Sequence, residues 1–114
     1  MIYIEYKFTG LNEYTKASRG NKFVSNNIKK RETEIARLHF LNTPKIDTPC
    51  KLKFTWIMKT KRMDLDNRSF SKKMIIDGMV KANVIPDDTL KYVIGFQDEY
   101  EIGTQDGVRI EVIQ

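Results

Sequence analysis

Apolar residues alternate with other residue types in four segments, and this pattern restricts the fold more than any other feature of the chain. In the clearest case, segment 51–59, the alternating apolar positions are Leu52, Phe54, Trp56 and Met58. Successive side chains of a β-strand point to opposite faces of a sheet, so a period of two predicts half-buried strands. The same period occurs in segments 2–8, 92–97 and 108–113. We expect the last two strands to form a hairpin whose loop contains Gly103 and Asp106-Gly107.

Between the first two strands, apolar residues recur at the spacing of an α-helix. Ile28, Ile35 and Leu38 follow Ser25, a residue type that caps helix N-termini, and the pattern ends before Asn42-Thr43-Pro44. The polar segment 12–21 precedes this helix and contains glycine, which predicts a flexible basic loop.

A second helix is predicted to begin with Asp66 as its N-cap and to end by Pro86. Its buried positions should be Phe70, Met74, Ile75, Met79 and Ala82. The resulting order β-α-β-α-β-β predicts an α+β fold with helices packed on a small mixed sheet. A chain of 114 residues has the usual length of one domain, so we expect residues 1–114 to form a single domain.

The charge of the chain is unevenly distributed. Residues 1–86 contain 18 Lys/Arg and 8 Asp/Glu, whereas residues 87–114 contain 2 and 7. A positive surface attracts nucleic-acid phosphates, although a solvated basic face without a partner has the same composition. The single Cys50 cannot form an internal disulfide, and segment 2–8 contains Glu5 and Lys7. We therefore expect a cytoplasmic protein with neither a membrane span nor a signal peptide.

Two acidic clusters, Asp64-Leu65-Asp66-Asn67 and Asp87-Asp88, lie in or next to the basic part of the chain. Asp64 and Asp66 point the same way in an extended chain, but Asp88 joins them only if the chain turns back after the second helix. Three adjacent carboxylates repel one another unless a cation lies between them, and oxygen ligands favour Mg²⁺, with Mn²⁺ as the alternative. The alternative interpretation is that Asp66 caps a helix, Asp64 is exposed and Asp87-Asp88 forms a turn.

The acidic clusters and the segment between them resemble the RusA family of Holliday junction resolvases. The core of that family reads D-x-D-N, then a lysine and an aspartate four residues apart on a helix, then D-D eleven residues after that aspartate. The matching residues here are Asp64 to Asn67, Lys73 with Asp77, and Asp87-Asp88. The segments Leu11 to Tyr14, Arg19 to Phe23 and Lys29-Lys30 are similar to the N-terminal region of phage-type members. One difference is that Lys73 follows Asp66 by seven residues instead of four, which implies a three-residue insertion within 68–72.

This resemblance implies a Mg²⁺-dependent endodeoxyribonuclease that resolves four-way DNA junctions by paired symmetric nicks, with activated water attacking the phosphodiester. It also implies a homodimer without a small-molecule cofactor. Asp64, Asp66 and Asp88 would bind the metal and act in catalysis with Lys73, while Asn67 and Asp87 would support the carboxylates. Lys61, Arg62 and Lys72 are alternatives to Lys73 as the cation near the phosphate. Our candidates for DNA-backbone contacts are Arg19, Lys22, Lys29, Lys30, Lys61, Arg62, Arg68 and Lys72.

Two other functions remain open at this point. The first is a non-catalytic nucleic-acid-binding module in which the aspartates serve as helix caps and turn residues. The second is a metal-dependent nuclease that acts on another DNA structure or on RNA. His39 and Cys50 lack partners at the spacing of metal ligands or of a catalytic pair, so we assign them no function.

Overall fold

The computed structural model describes residues 2–113 and confirms the α+β class, with helices packed on a small mixed sheet. In chain order the elements are β1 (Ile2–Ile4), α1 (Leu11–Gly20), α2 (Lys22–Phe40), β2 (Cys50–Met58), α3 (Leu65–Ser69), α4 (Lys72–Lys81), β3 (Val93–Ile102) and β4 (Gly107–Ile113). The strands form one sheet in the order β1-β4-β2-β3, in which only β2 and β3 are parallel neighbours. Between residues 2 and 113, no helix is both long and apolar enough to cross a membrane.

Strand β2 is the centre of the sheet and of the hydrophobic core. Leu52, Phe54 and Trp56 are almost completely buried, which confirms the period of two in this segment. Helices α2 and α4 pack closely where Gly78 meets Ala36, because a Cβ atom added to Gly78 would lie 2.6 Å from the Ala36 Cβ. Glycine at this position therefore permits the close approach of the two helices.

The predicted hairpin between the last two strands is wrong. Strands β3 and β4 both form but flank β2, so that Met58 pairs with Ile102 of β3 and Ile57 pairs with Gly107 of β4. The connection crosses the end of β2, where the Gly103 N–H donates a hydrogen bond to the Met58 carbonyl over 2.8 Å. A strand on each side of β2 supplies hydrogen-bonding partners for both edges of its backbone. The connecting residues 103–106 are enough to cross the roughly 10 Å that separate the two strands flanking β2.

Two predictions about the first helix are also wrong. Segment 12–21 is not a loop, because residues Leu11–Gly20 form α1. The N-cap of α2 is Asn21, whose Oδ1 accepts a 2.8 Å hydrogen bond from the Phe23 N–H, while Ser25 is buried inside the helix. Helix α1 contains no fully buried residue, and most of its residues are exposed, so it lacks the apolar stripe by which a helix is recognised in a sequence.

The predicted second helix is divided into α3 and α4, and Asp64 rather than Asp66 occupies the N-cap position. The Phe70 ring packs against Tyr14 of α1 with 5.1 Å between ring centroids, whereas α4 packs on α2. Because the two halves contact different helices, the chain bends at Ser71. Three positions of the predicted apolar stripe are buried, namely Met74, Ile75 and Met79, whereas Phe70 and Ala82 are partly exposed.

The first predicted strand is shorter than segment 2–8 because its second half leaves the sheet to contact α2. Glu32 of α2 is completely buried and accepts hydrogen bonds from the Thr9 N–H at 2.9 Å, the Thr9 hydroxyl at 2.8 Å and the Tyr6 hydroxyl at 2.9 Å. Burial and the adjacent Glu32 raise the pKa of Tyr6. A buried carboxylate needs several donors, and the chain after β1 supplies them.

Candidate functional site

Lys73 links two parts of the acidic motif that are distant in sequence. Its Nζ lies 3.1 Å from Oδ1 of Asp77, one turn further along α4, and 3.3 Å from Oδ2 of Asp88. Asp77 and Asp88 both raise the pKa of Lys73, and Lys73 in turn lowers the pKa of Asp88. The three residues therefore form one charged cluster on the surface of α4.

Asp88 reaches this cluster because the chain reverses after α4. Asn83 adopts a φ of 60°, in the left-handed region that asparagine tolerates better than most residues. The Val84 N–H then donates to the Met79 carbonyl, and the Val84 carbonyl accepts from the Ile46 N–H. Strand β3 lies next to β2, the arrangement in which we expected Asp88 to approach Asp64 and Asp66. However, Val93 at the start of β3 pairs with Cys50 at the start of β2, so the loop before β3 lies at the opposite end of β2 from the segment 64–66.

The Lys73 cluster forms one side of an open groove with a volume of about 690 Å³. Helix α2 supplies the opposite side, including Lys29, Lys30 and the exposed ring of Phe23. Phe23 is 77% exposed, which is unusual for a phenylalanine without a binding partner. The groove is lined by four lysines and three aspartates, namely Lys29, Lys30, Lys73, Lys81, Asp77, Asp87 and Asp88. Lysines attract phosphates, and an exposed aromatic ring such as that of Phe23 is a surface on which bases stack. Phe23 was not among the residues predicted from the sequence, although its position between Lys22 and the two lysines was a usable signal.

Asp64 and Asp66 do not join Asp88. Both side chains are exposed at the start of α3, and neither lines the groove. Asp64 occupies the N-cap position without a side-chain hydrogen bond to the helix. Among residues 2–113 there is no group of three or more His, Cys, Asp or Glu residues that could hold a metal ion. The structure therefore does not form the three-carboxylate site that the sequence predicted.

The side chains of Asp64 and Asp66, two of the three predicted ligands, are exposed. Mg²⁺ is commonly bound by one or two carboxylates, with waters and substrate phosphates as the other ligands. Both residues carry oxygen donors of this kind, but Asp64 is the N-cap of α3 and Asp66 lies in its first turn, so the extended geometry that the sequence predicted for this pair does not form. The Asp88 carboxylate is instead engaged by Lys73.

The two predicted supporting residues have structural partners. Asn67 Oδ1 accepts a 2.7 Å hydrogen bond from the Asn12 N–H, so Asn67 satisfies a free N–H in the first turn of α1. Gly10 permits this contact, because an added Cβ would lie 3.0 Å from the Asn67 amide. Asp87 Oδ1 accepts a 2.8 Å hydrogen bond from the Asp88 N–H and thereby fixes the turn before Asp88.

The candidate DNA-binding residues differ in how accessible they are. Lys29 and Lys30 line the groove, and four others are exposed elsewhere: Arg19, Lys22, Lys61 and Arg62. Lys72 forms an ion pair with Asp98 of β3, and its Nζ lies 4.7 Å from the centre of the Phe96 ring. Arg68 is only 3% exposed, so it is not on the outer surface that DNA would first meet.

No protein-family model matches the chain, and no curated protein matches it either.

Proposed function

We propose that this chain is a RusA-type endonuclease that binds four-way DNA junctions and cuts them in a magnesium-dependent reaction. The contact of Lys73 with both Asp77 and Asp88, beside the lysines of α2, is the observation that carries this proposal. It unites the lysine, the aspartate four residues later and the D-D pair of the motif in one groove.

In the proposed reaction, the basic groove binds the DNA backbone while the exposed carboxylates act on the scissile phosphate. Lys29 and Lys30 attract phosphates without regard to base sequence. Asp64 and Asp66 would hold the ion, and a bound Mg²⁺ would polarise a phosphoryl oxygen and acidify water. Lys73 lies in the groove, apart from these two carboxylates, and would bind a neighbouring phosphate of the DNA backbone. Symmetric cutting requires two active sites, so we propose a homodimer. We also propose that the protein acts in the cytoplasm, in line with a free and buried Cys50.

The decisive experiment compares wild type with Asp66→Asn and Asp88→Asn on a synthetic four-way junction with Mg²⁺. Asp47→Asn is the matched control, because Asp47 is an exposed aspartate outside the candidate site. We expect paired nicks from wild type and the control, and a loss of cleavage of at least about 100-fold in Asp66→Asn at unchanged DNA binding. Asp88→Asn removes only a carboxylate partner of Lys73, so we expect it to retain cleavage. An equal loss in Asp88→Asn would show that Asp88 takes part in the reaction. A linear duplex and an RNA hairpin, tested in parallel, separate junction resolution from nuclease activity on other substrates.

A non-catalytic nucleic-acid-binding module is the second candidate. It is favoured by the separation of Asp64 and Asp66 from Asp88 and by the structural roles of Asn67 and Asp87. It predicts junction binding that is indifferent to Mg²⁺ and to Asp64→Asn. Intact junctions from wild-type protein that binds them tightly would favour this function over the nuclease.

A further inference from the structure

The guanidinium of Arg68, in α3, is buried. Within residues 2–113, neither its Nε nor its Nη2 donates a hydrogen bond. A guanidinium stays protonated in proteins, and leaving its buried donors unpaired costs more than leaving neutral donors unpaired. These two nitrogens are therefore free to donate hydrogen bonds to a group from outside the chain.

Arg68 lines a cavity of about 100 Å³ near the end of β2. Lys7 and Lys59 line the same cavity, and the only acidic residue among its lining residues is Asp106. Three cations against one carboxylate make the cavity electropositive, and the apolar walls of Met58 and Met63 strengthen this field by excluding water. The volume holds several water molecules or a compact anion.

The carboxylates of the protein do not satisfy Arg68. Asp106 and then Glu32 favour its charged form through electrostatic attraction, but neither accepts a hydrogen bond from Nε or Nη2. Glu32 already accepts hydrogen bonds from Thr9 and Tyr6. On its other side, Arg68 faces a space that is too narrow for a water molecule. Water on that side therefore cannot replace the missing partner.

We propose that the cavity lined by Lys7, Lys59 and Arg68 binds a phosphate group. A planar guanidinium binds phosphate oxygens through paired hydrogen bonds, and two lysines add charge without strict geometry. Met63 in the cavity wall directly precedes Asp64, so the cavity and the exposed carboxylates belong to one stretch of chain. The assignment of this phosphate to a DNA strand rests on the proposed function, whereas the phosphate site itself does not.

The test is a titration of the full-length protein with inorganic phosphate, in which the NMR signal of the Arg68 Nε–H group is monitored. Sodium chloride at matched ionic strength controls for screening. We expect a saturable shift with wild type and about tenfold weaker binding with Lys59→Met, a substitution of an exposed side chain that leaves the core intact. Lys45→Met is the matched control, because Lys45 is exposed and does not line the cavity.

Two further arms decide between occupants. If phosphate binds in the cavity, Asp106→Asn strengthens phosphate binding, because the variant removes a negative charge that repels the phosphate. If Asp106 is instead the partner of Arg68, the variant loses thermal stability and gains no phosphate affinity. That result would overturn the proposal.

A DNA duplex that shifts the same NMR signal, in competition with phosphate, identifies a DNA phosphodiester as the ligand. A shift with inorganic phosphate alone identifies a free phosphate. Absence of any saturable shift, or equal weakening by Lys45→Met, also refutes the site. Phosphate binding without junction cleavage would reject the nuclease and retain the site.

Discussion

Lys73 Nζ lies 3.3 Å from Asp88 Oδ2, although fifteen residues separate the two in sequence. The contact exists because the chain reverses at Asn83 and returns along α4. Because of this contact, Lys73 is the main cause of the lowered pKa of Asp88.

Replacement of Lys73 by methionine is expected to raise the pKa of Asp88 toward its ordinary value, because Lys73 is the main cause of its lowering. A lowered carboxyl pKa contributes stability above the unfolded-state value, and this contribution disappears as the pH falls through the folded-state value. NMR titration of the Asp88 carboxyl carbon measures the shift. Lys81→Met, which lines the same groove without contacting Asp88, should leave the titration unchanged.

Replacement of Glu32 by glutamine is expected to lower the free energy of unfolding by about 1–3 kcal/mol, because charge-assisted hydrogen bonds in the core are lost. Urea denaturation at neutral pH measures the difference. The control is Glu34→Gln on the same helix, since Glu34 is exposed and forms a surface ion pair with Arg37. A Glu32 variant as stable as the control would contradict the structural role of the buried carboxylate.

Replacement of Gly78 by alanine is expected to destabilise the protein by about 1–3 kcal/mol through overpacking. The added Cβ would lie 2.6 Å from the Ala36 Cβ and 2.8 Å from the Arg37 backbone nitrogen, so α2 and α4 must separate. Gly20→Ala is the matched control, because nothing lies within 4 Å of its added Cβ. The control should be within about 0.5 kcal/mol of wild type or slightly more stable. Thermal unfolding of both variants tests this, and equal stabilities would disprove the close helix contact.

Replacement of both Lys29 and Lys30 by methionine is expected to weaken junction binding and to reduce the slope of log affinity against log salt by about 1–2 units. Both residues line the groove, so they contact phosphates if DNA binds there. Fluorescence anisotropy at several salt concentrations gives affinity and slope together. Lys45→Met should change neither, and an unchanged slope in the double variant would move the DNA interface away from the groove.

Local patterns in the sequence predicted those elements in which buried and exposed side chains recur with the period of a strand or a helix. The period of two in β2 predicted a buried strand because Leu52, Phe54 and Trp56 meet the same core layer. The apolar stripe of Met74, Ile75 and Met79 predicted α4 for the same reason. These patterns arise from the interaction of each segment with water and the core, so the sequence alone is sufficient to read them.

The sequence by itself therefore determined the α+β class, the central strand β2, and the presence of two acidic clusters in or next to the basic part of the chain. Only the tertiary structure decided that β2 lies between β3 and β4, that Lys73 meets Asp88 apart from Asp64 and Asp66, and that Arg68 is buried beside a cavity. These features depend on contacts between segments that are distant in the chain. The periodicity of a single segment does not reveal which other segments it will contact. Strand order, chain reversal and the burial of a charge are consequences of packing the whole molecule at once.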